Sequence, residues 1–288
     1  LTEVASLEEY ERQIAGLLGK LFVQRRDAKA EQNKINGVWH RCVRDRRSQA
    51  DVPIKMPDVI SHIRGERSFG HYLLDHDGMC RIFALDIDLR KTPHAYPLVD
   101  PTNGETTLHE YIPREAWQDR AHPSRTWTKL SLRVLGEHFA RIIMGDLGLP
   151  CLVSYSGSKG LHVYAFFDEP VPASDAREGA VIVLEQSSLF RPKKGKSFYE
   201  AVNQDPVEGY PQLEVEAYPK QEKIGSDGYG NLMRLPLGRN FKATHPKEES
   251  FFLDLTTHGA EFRPIDPLLA LSSRDPWVMS RIPQQTGV

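Results

Sequence analysis

The stretch CRIFALDIDLRK, residues 80–91, carries two carboxylates, Asp86 and Asp88, one residue apart at the end of an apolar run. Side chains of a strand alternate between its faces, so residues two apart share one. Phe83, Leu85, Ile87 and Leu89 then form one apolar face; Ile82, Ala84, Asp86 and Asp88 form the other, apolar until it reaches the acids. A further acidic strand is expected in PQLEVEAYPKQ, where Leu213, Val215 and Ala217 alternate with Glu214, Glu216 and Tyr218. Two carboxylates from one strand and a third from another make a hard, oxygen-rich donor set suited to Mg²⁺ or Mn²⁺. In two-metal phosphoryl or nucleotidyl transfer, ions about 4 Å apart hold the attacking and leaving oxygens. Taken alone, an Asp-x-Asp pair is commonly a solvated strand end.

What changes that reading is SGSKGLH, residues 156–162. Gly157 and Gly160 let backbone N–H groups approach an anion, and Ser156, Lys159 and His162 add a hydroxyl, a fixed cation and a switchable one. The combination suits a triphosphate. It is not a Walker A loop, because the GxxxxGK[ST] spacing is absent and the turn leads into a strand, LHVYAFF.

The elements that must position these groups follow from periodicity and punctuation. Leu7, Tyr10, Ile14, Leu17, Leu18 and Leu21 recur at helical spacing, which predicts a helical N-terminal region from residue 7 to about 46, divided at Gly37. The prolines of ADVPIKMP, residues 50–57, mark the passage into a main domain. Residues 70–89 predict a hairpin in which the strand holding Tyr72 pairs with the Asp86/Asp88 strand across Asp77-Gly78. Residues 91–123 lack periodicity and read as a long surface loop with short elements. A helix is expected from Ser124, as its cap, to about Asp146, with Leu130, Val134, Leu135, His138 and Ile142 inward. A second hairpin spans CLVSYSG to LHVYAFF, and a helix is expected over 173–188. GNLMRLPLGRNFK, residues 230–242, reads as an extended basic segment. The division expected is 1–50 N-terminal helical region, 51–265 catalytic domain, and 266–288 tail or linker.

Composition bounds the class. With 288 residues, 40% hydrophobic and 26% charged, the chain can bury a substantial core. No apolar run approaches the roughly 20 residues of a membrane span, and no segment has the form of a secretory signal, so a cytoplasmic setting without membrane association is expected. The opening residue, Leu1, fits an excised or processed piece. Cys42, Cys80 and Cys151 lie far apart, which excludes a disulfide framework and a CxxC zinc knuckle. The net charge of −2 conceals basic stretches at Lys20–Arg47 and at RPKKGK, residues 191–196. Each reads either as a polyanion contact or as a solvated face.

In order and spacing, Asp86/Asp88, SGSKGLH and EAYPKQ from Glu216, extended by NLMRLPLG at 231–238, resemble the motifs of the archaeo-eukaryotic primase superfamily. The similarity is strongest to primase-polymerases of phages, plasmids and conflict systems, and covers roughly residues 58–245. It implies an α/β catalytic core with an RRM-like sheet, and a template-directed nucleotidyltransferase, a DNA primase or DNA polymerase. Asp86, Asp88 and Glu216 would be the catalytic metal ligands for Mg²⁺ or Mn²⁺, with Glu214 competing for the third place. Ser156, Lys159 and His162 would hold the nucleotide's phosphates, Lys220 and Arg234 would add positive charge, and Tyr72 would lie beside the sugar. The implied partners are a single-stranded DNA template and primer, nucleoside triphosphates, and a helicase domain or protein. The Cys/His zinc element of many relatives is missing, so any priming aid must come from elsewhere.

Two other classes compete. A metal-dependent glycosyltransferase uses an Asp-x-Asp pair but leaves SGSKGLH without a role. A noncatalytic RRM-like nucleic-acid-binding module would carry aromatics where this chain carries acids, and acids repel phosphate.

Overall fold

The computed structural model describes residues 6–224, 228–242 and 249–278. Helix α1 (Leu7–Phe22) is followed by strands β1 (Ala30–Gln32) and β2 (Trp39–His40), helix α2 (Met56–Ile63), strand β3 (Phe69–Tyr72) and the long strand β4 (Met79–Leu89). Strands β5 (His94–Val99) and β6 (Thr106–Tyr111) lead into α3 (Pro113–Gln118) and α4 (Ser124–Gly145). Then come β7 (Cys151–Tyr155), β8 (Gly160–Pro172), α5 (Ala173–Ser187), β9 (Phe190–Pro192), β10 (Tyr199–Ala201) and β11 (Leu213–Tyr218). The described chain finishes with β12 (Leu232–Arg234), β13 (Phe251–Phe252) and α6 (Pro267–Ser273). The result is the expected mixed α/β architecture, with antiparallel sheets.

Strand β4 organises the molecule. It lies inside a seven-stranded sheet of order β13-β7-β8-β4-β11-β10-β9, and its two faces feed two cores. Phe83, Leu85, Ile87 and Leu89 pack with α4 and α5 through Leu135, Phe139, Ile143, Ala180 and Val183. On the opposite face Ile82 and Ala84 join Tyr164, Phe166 and Phe22, which closes α1. The same core takes Phe69 and Met233 from the second sheet, of order β12-β3-β1-β2. The alternation read from the sequence is therefore realised, and the acids begin where the second core's apolar residues on β4 end.

Several expectations need correction. The N-terminal helix stops at Phe22 rather than near residue 46. Its buried stripe of Ile14, Leu18 and Phe22 would next require apolar residues near 25, 26 and 29, where the chain has Arg25, Arg26 and Lys29. The rest of the N-terminal region is turns and irregular chain with two short strands, β1 and β2, and its basic residues do not form one helix face. Arg25 and Lys29 are buried and paired, Arg25 Nη2 to Asp27 at 2.6 Å and Lys29 Nζ to Asp58 at 2.9 Å.

Strands β3 and β4 are not a hairpin pair either. The turn forms, with Asp75 N donating to Met79 O at 2.9 Å and Gly78 at φ +78°, but β3 pairs with β1 and β12 while β4 pairs with β8 and β11. Adjacent residues explain the divergence: Leu73 enters the second core and Leu74 the first, so the chain crosses between sheets there.

The stretch 91–123 contains an ordered β5–β6 ribbon and α3, held by a cluster in which Tyr96 and Tyr111 pack on Trp127. Helix α4 buries Leu135 and Ile142 as expected, but Leu130 and Val134 face outward, 42% and 44% exposed; Pro123, not Ser124, is its N-cap. Residues 266–278 are no loose tail. Helix α6 buries Ala270 and Leu271 in the second core, and the Tyr10 hydroxyl donates to Asp266.

Phe22 joins α1 to the sheet through edge-to-face contacts with Tyr164 at 4.9 Å and Phe166 at 5.5 Å. Phe22→Ala is expected to cost about 3–5 kcal/mol in urea unfolding, and Phe22→Leu about half as much, because the larger substitution leaves the larger cavity.

Candidate active site

The register of three strands places the candidate residues. On β4, Asp86 lies between His162 of β8 and Glu216 of β11, and Asp88 lies between Gly160 and Glu214. Cross-strand Cβ atoms sit roughly 4.5–5.5 Å apart and share a face. Asp86, Asp88, Glu214 and Glu216 thus form two adjacent rows, as the alternation in both sequences required.

So many like charges must be compensated, and basic side chains from four segments supply this. Lys159 and Arg114 both reach Asp88, the latter at 3.2 Å, and Arg114 also lies 3.5 Å from Glu214. Lys220 lies 2.7 Å from Glu216, which also accepts hydrogen bonds from Ser197 and Tyr218 at 3.3 and 3.1 Å. His162 Nε2 is 3.4 Å from Asp86, and its Nδ1 is 2.9 Å from the Tyr164 hydroxyl.

The two aspartates answer this field differently. Burial opposes ionisation of Asp86, but the charge and hydrogen bond of His162, aided by Lys159 and Lys220, hold its carboxyl below the ordinary range. Burial and the neighbouring Asp86 charge push Asp88 upward against Lys159 and Arg114. Burial likewise raises Glu214, with Arg114 opposing.

Beside these rows, the turn Ser156–Gly160 joins β7 to β8. Ser156 Oγ accepts from Gly160 N at 3.2 Å, and Gly157 adopts φ +68°, which its lack of a side chain permits. Arg234 donates to the Ser156 carbonyl, while the Trp117 indole and the Tyr155 hydroxyl, at 2.8 Å, donate to Ser158 O. A cleft of about 490 Å³ opens over Asp86, Asp88, Ser156, Lys159, His162 and Arg234. Its remaining walls include Gln32, Trp39, Arg114, Trp117, Asn240 and Lys242.

Most of the residues expected at the site are therefore neighbours. Glu216 and Lys220 sit one strand away and do not line the cleft. Tyr72 departs from its expectation: it lies on β3, outside the Asp86/Asp88 sheet, 1% exposed and stacked on Tyr229 at 5.0 Å. Its ring belongs to the packing and does not line the cleft.

Sequence reasoning missed Arg114 and Trp117, hidden in the segment taken for a loop. A Pro-initiated helix start in IPREAW was the available signal. It also missed Gln32, Trp39 and Lys242, which reach the cleft only through the second sheet and the segment after β12.

Among the described residues, no three His, Cys, Asp or Glu side chains converge closely enough to hold a metal ion as placed. The donor chemistry nonetheless fits a hard divalent cation: carboxylate oxygens on adjacent strands, with Asp88 disfavoured in its charged form by burial and then by Asp86. Lys159, Arg114 and Lys220 pair with these carboxylates.

The family described as "TOTE conflict system, Archaeo-Eukaryotic Primase domain" matches residues 22–263. Among solved structures, the polymerase domain of Mycobacterium tuberculosis Ligase D, in complex with DNA, is similar at 15% identity over 84% of this chain and 78% of that one, with a TM-score of 0.43. Comparison with curated proteins found no match.

Gly160 is the tightest point of the site. A Cβ there would lie 2.1 Å from the Ile87 carbonyl oxygen and 2.8 Å from Asp88 Oδ1. Backbone cannot yield as a flexible side chain can, so Gly160→Ala is expected to lose about 1–3 kcal/mol of stability, read as a lowered midpoint in chemical denaturation. An unchanged midpoint would contradict this close approach of β8 to β4.

Proposed function

The chain belongs to the archaeo-eukaryotic primase domain family of TOTE conflict systems, and from that premise we propose that it is a template-directed nucleotidyltransferase, extending a nucleic-acid strand from its 3′-hydroxyl with release of pyrophosphate. The observation that carries this reading is the shared register of Asp86, Asp88 and Glu216 beside the Ser156–Gly160 turn. Acids for cations and a cationic turn for phosphates lie on neighbouring strands, as phosphoryl chemistry requires.

Asp86, Asp88 and Glu216 are the residues that would hold Mg²⁺ or Mn²⁺, with Glu214 in the next row as the competing third carboxylate. When bound, such ions neutralise phosphate charge and orient the attacking and leaving oxygens. The chain's own residues bind and position the substrate. Lys159, now on Asp88, is close enough to exchange that carboxylate for a phosphate, and His162 contributes a second donor from the row of Asp86. Half-buried Arg234 acts differently. Its bond to Ser156 O fixes the turn, and its charge adds to the field on the phosphates. Arg114 bridges Asp88 and Glu214 and offsets part of the second row's charge. The nucleic-acid template supplies base identity, while the protein supplies placement and charge.

Asp86→Asn and Asp88→Asn keep the side-chain shape while removing the charge. Each is expected to lower template-dependent incorporation by roughly a hundredfold or more with an unchanged circular dichroism spectrum. Incorporation near the wild-type rate by the double variant would sink the assignment. Glu216→Gln should match these losses and Glu214→Gln should not; the reverse order would move the third ligand to Glu214. Lys159→Ala should weaken nucleoside triphosphate binding by about 1.5–3 kcal/mol, the scale of a charge-assisted hydrogen bond, measured by titration calorimetry.

A further inference from the structure

The sheet has a direction at this site. Order β8-β4-β11-β10-β9 puts the Ser156–Gly160 turn and His162 on one side of the aspartates, and Glu216 with the β9–β10 hairpin on the other. That hairpin contains RPKKGK, the basic run whose role was left open by its sequence.

Its tip is built close to the carboxylates. Ser197, within the hairpin, donates to Glu216 at 3.3 Å. Lys196 N donates to Lys193 O at 3.0 Å, Lys193 N donates to Phe198 O at 3.1 Å, and Gly195 at φ +70° makes the turn possible. Lys193 and Arg191 are partly neutralised by Glu200, at 2.7 and 3.6 Å. Lys194 and Lys196 are exposed and enter no ion pair among the described residues. Phe198 is partly exposed, with the Lys193 ammonium 5.7 Å from its ring centroid. Unpaired cations on the same hairpin as an accessible aromatic ring are what a nucleic-acid strand uses, phosphates on the lysines and a base or sugar on the ring.

Nucleotidyl transfer is an in-line displacement, with the attacking oxygen and the leaving group on opposite sides of phosphorus. If the triphosphate lies against the Ser156–Gly160 turn, the strand bearing the 3′-hydroxyl arrives from the β11 side. We propose that the β9–β10 hairpin binds the backbone of this growing strand, with Lys194 and Lys196 on its phosphates and Phe198 against it. The assignment of the strand rests on the function proposed above; the hairpin's contact with nucleic acid rests on its own charges and ring.

The experiment compares binding of two probes, a template annealed to a primer with a recessed 3′ end and the same template unprimed, by fluorescence anisotropy across a salt series without nucleotide. Each released phosphate contact changes the log–log salt slope by about 0.9 on duplex DNA. Lys194→Gln/Lys196→Gln should therefore flatten the slope for primed DNA by roughly 1.8, and weaken its binding about tenfold or more near 0.1 M salt, while leaving the slope for unprimed template unchanged. Both lysines are exposed, and an unchanged melting temperature will show that the fold is intact. Phe198→Ala should weaken primed binding at every salt concentration without altering the slope, and wild-type affinity in that variant would overturn the ring contact. An unaltered primed slope, or an equal fall for both probes, would overturn the growing-strand assignment. Because no turnover is measured, a wild-type protein that fails to incorporate nucleotide would count against the proposed function and leave these slopes as they are.

Discussion

The structure turns on a repulsion. Asp86, Asp88, Glu214 and Glu216 are placed side by side by the β4–β11 register, and that register is itself fixed by the apolar residues alternating with them. A slip of one residue would turn Leu85, Ile87, Val215 and Ala217 out of the first core and drive the acids into it. The core therefore enforces the crowding of charge, and cations from other parts of the chain make it tolerable: Lys159 from the β7–β8 turn, Arg114 from α3, and Lys220 from the segment after β11.

This arrangement ties distant segments to one place. The β5–β6 ribbon looks peripheral, yet it leads into α3, which carries both Arg114 and Trp117. The indole of Trp117, from α3, and the guanidinium of Arg234, from β12 of the second sheet, hold the Ser158 and Ser156 carbonyls of the Ser156–Gly160 turn. Such tethers limit the turn's freedom, which favours a preorganised site over one assembled on ligand binding.

The second sheet does a separate job. Its strands share the second core with β4 and β8 and contribute Gln32, Trp39 and Met233 to the cleft wall. Gln32 is 2% exposed, donates to Gly37 O at 3.1 Å and accepts from Phe241 N at 3.0 Å, so it links the β1–β2 turn to the segment after β12. Helices α1 and α6 close the same core from outside, which makes the first and last described helices part of the support for the cleft.

The alternation of apolar and acidic residues by itself determined the faces of β4 and β11, and the glycines, serine and lysine of SGSKGLH marked the turn between β7 and β8. These are local facts, because a strand's period of two and a turn's need for glycine operate over a few residues. The family, too, was legible in the order of those motifs. What the sequence could not determine was which strands pair and which cations meet which acids. Tyr72 stands only 14 residues before Asp86, yet Leu73 and Leu74 send the chain into different cores and leave the two in different sheets. Arg114 had no periodic signature, and becomes a site residue only because α3 packs at the end of β4. Helix α1 stops at Phe22 because the stripe beyond it would have carried Arg25, Arg26 and Lys29 into an apolar core, whereas off the helix Arg25 and Lys29 are buried beside Asp27 and Asp58. Pairing, termination and charge compensation depend on burial between segments far apart in the chain, and burial exists only once the tertiary structure has formed.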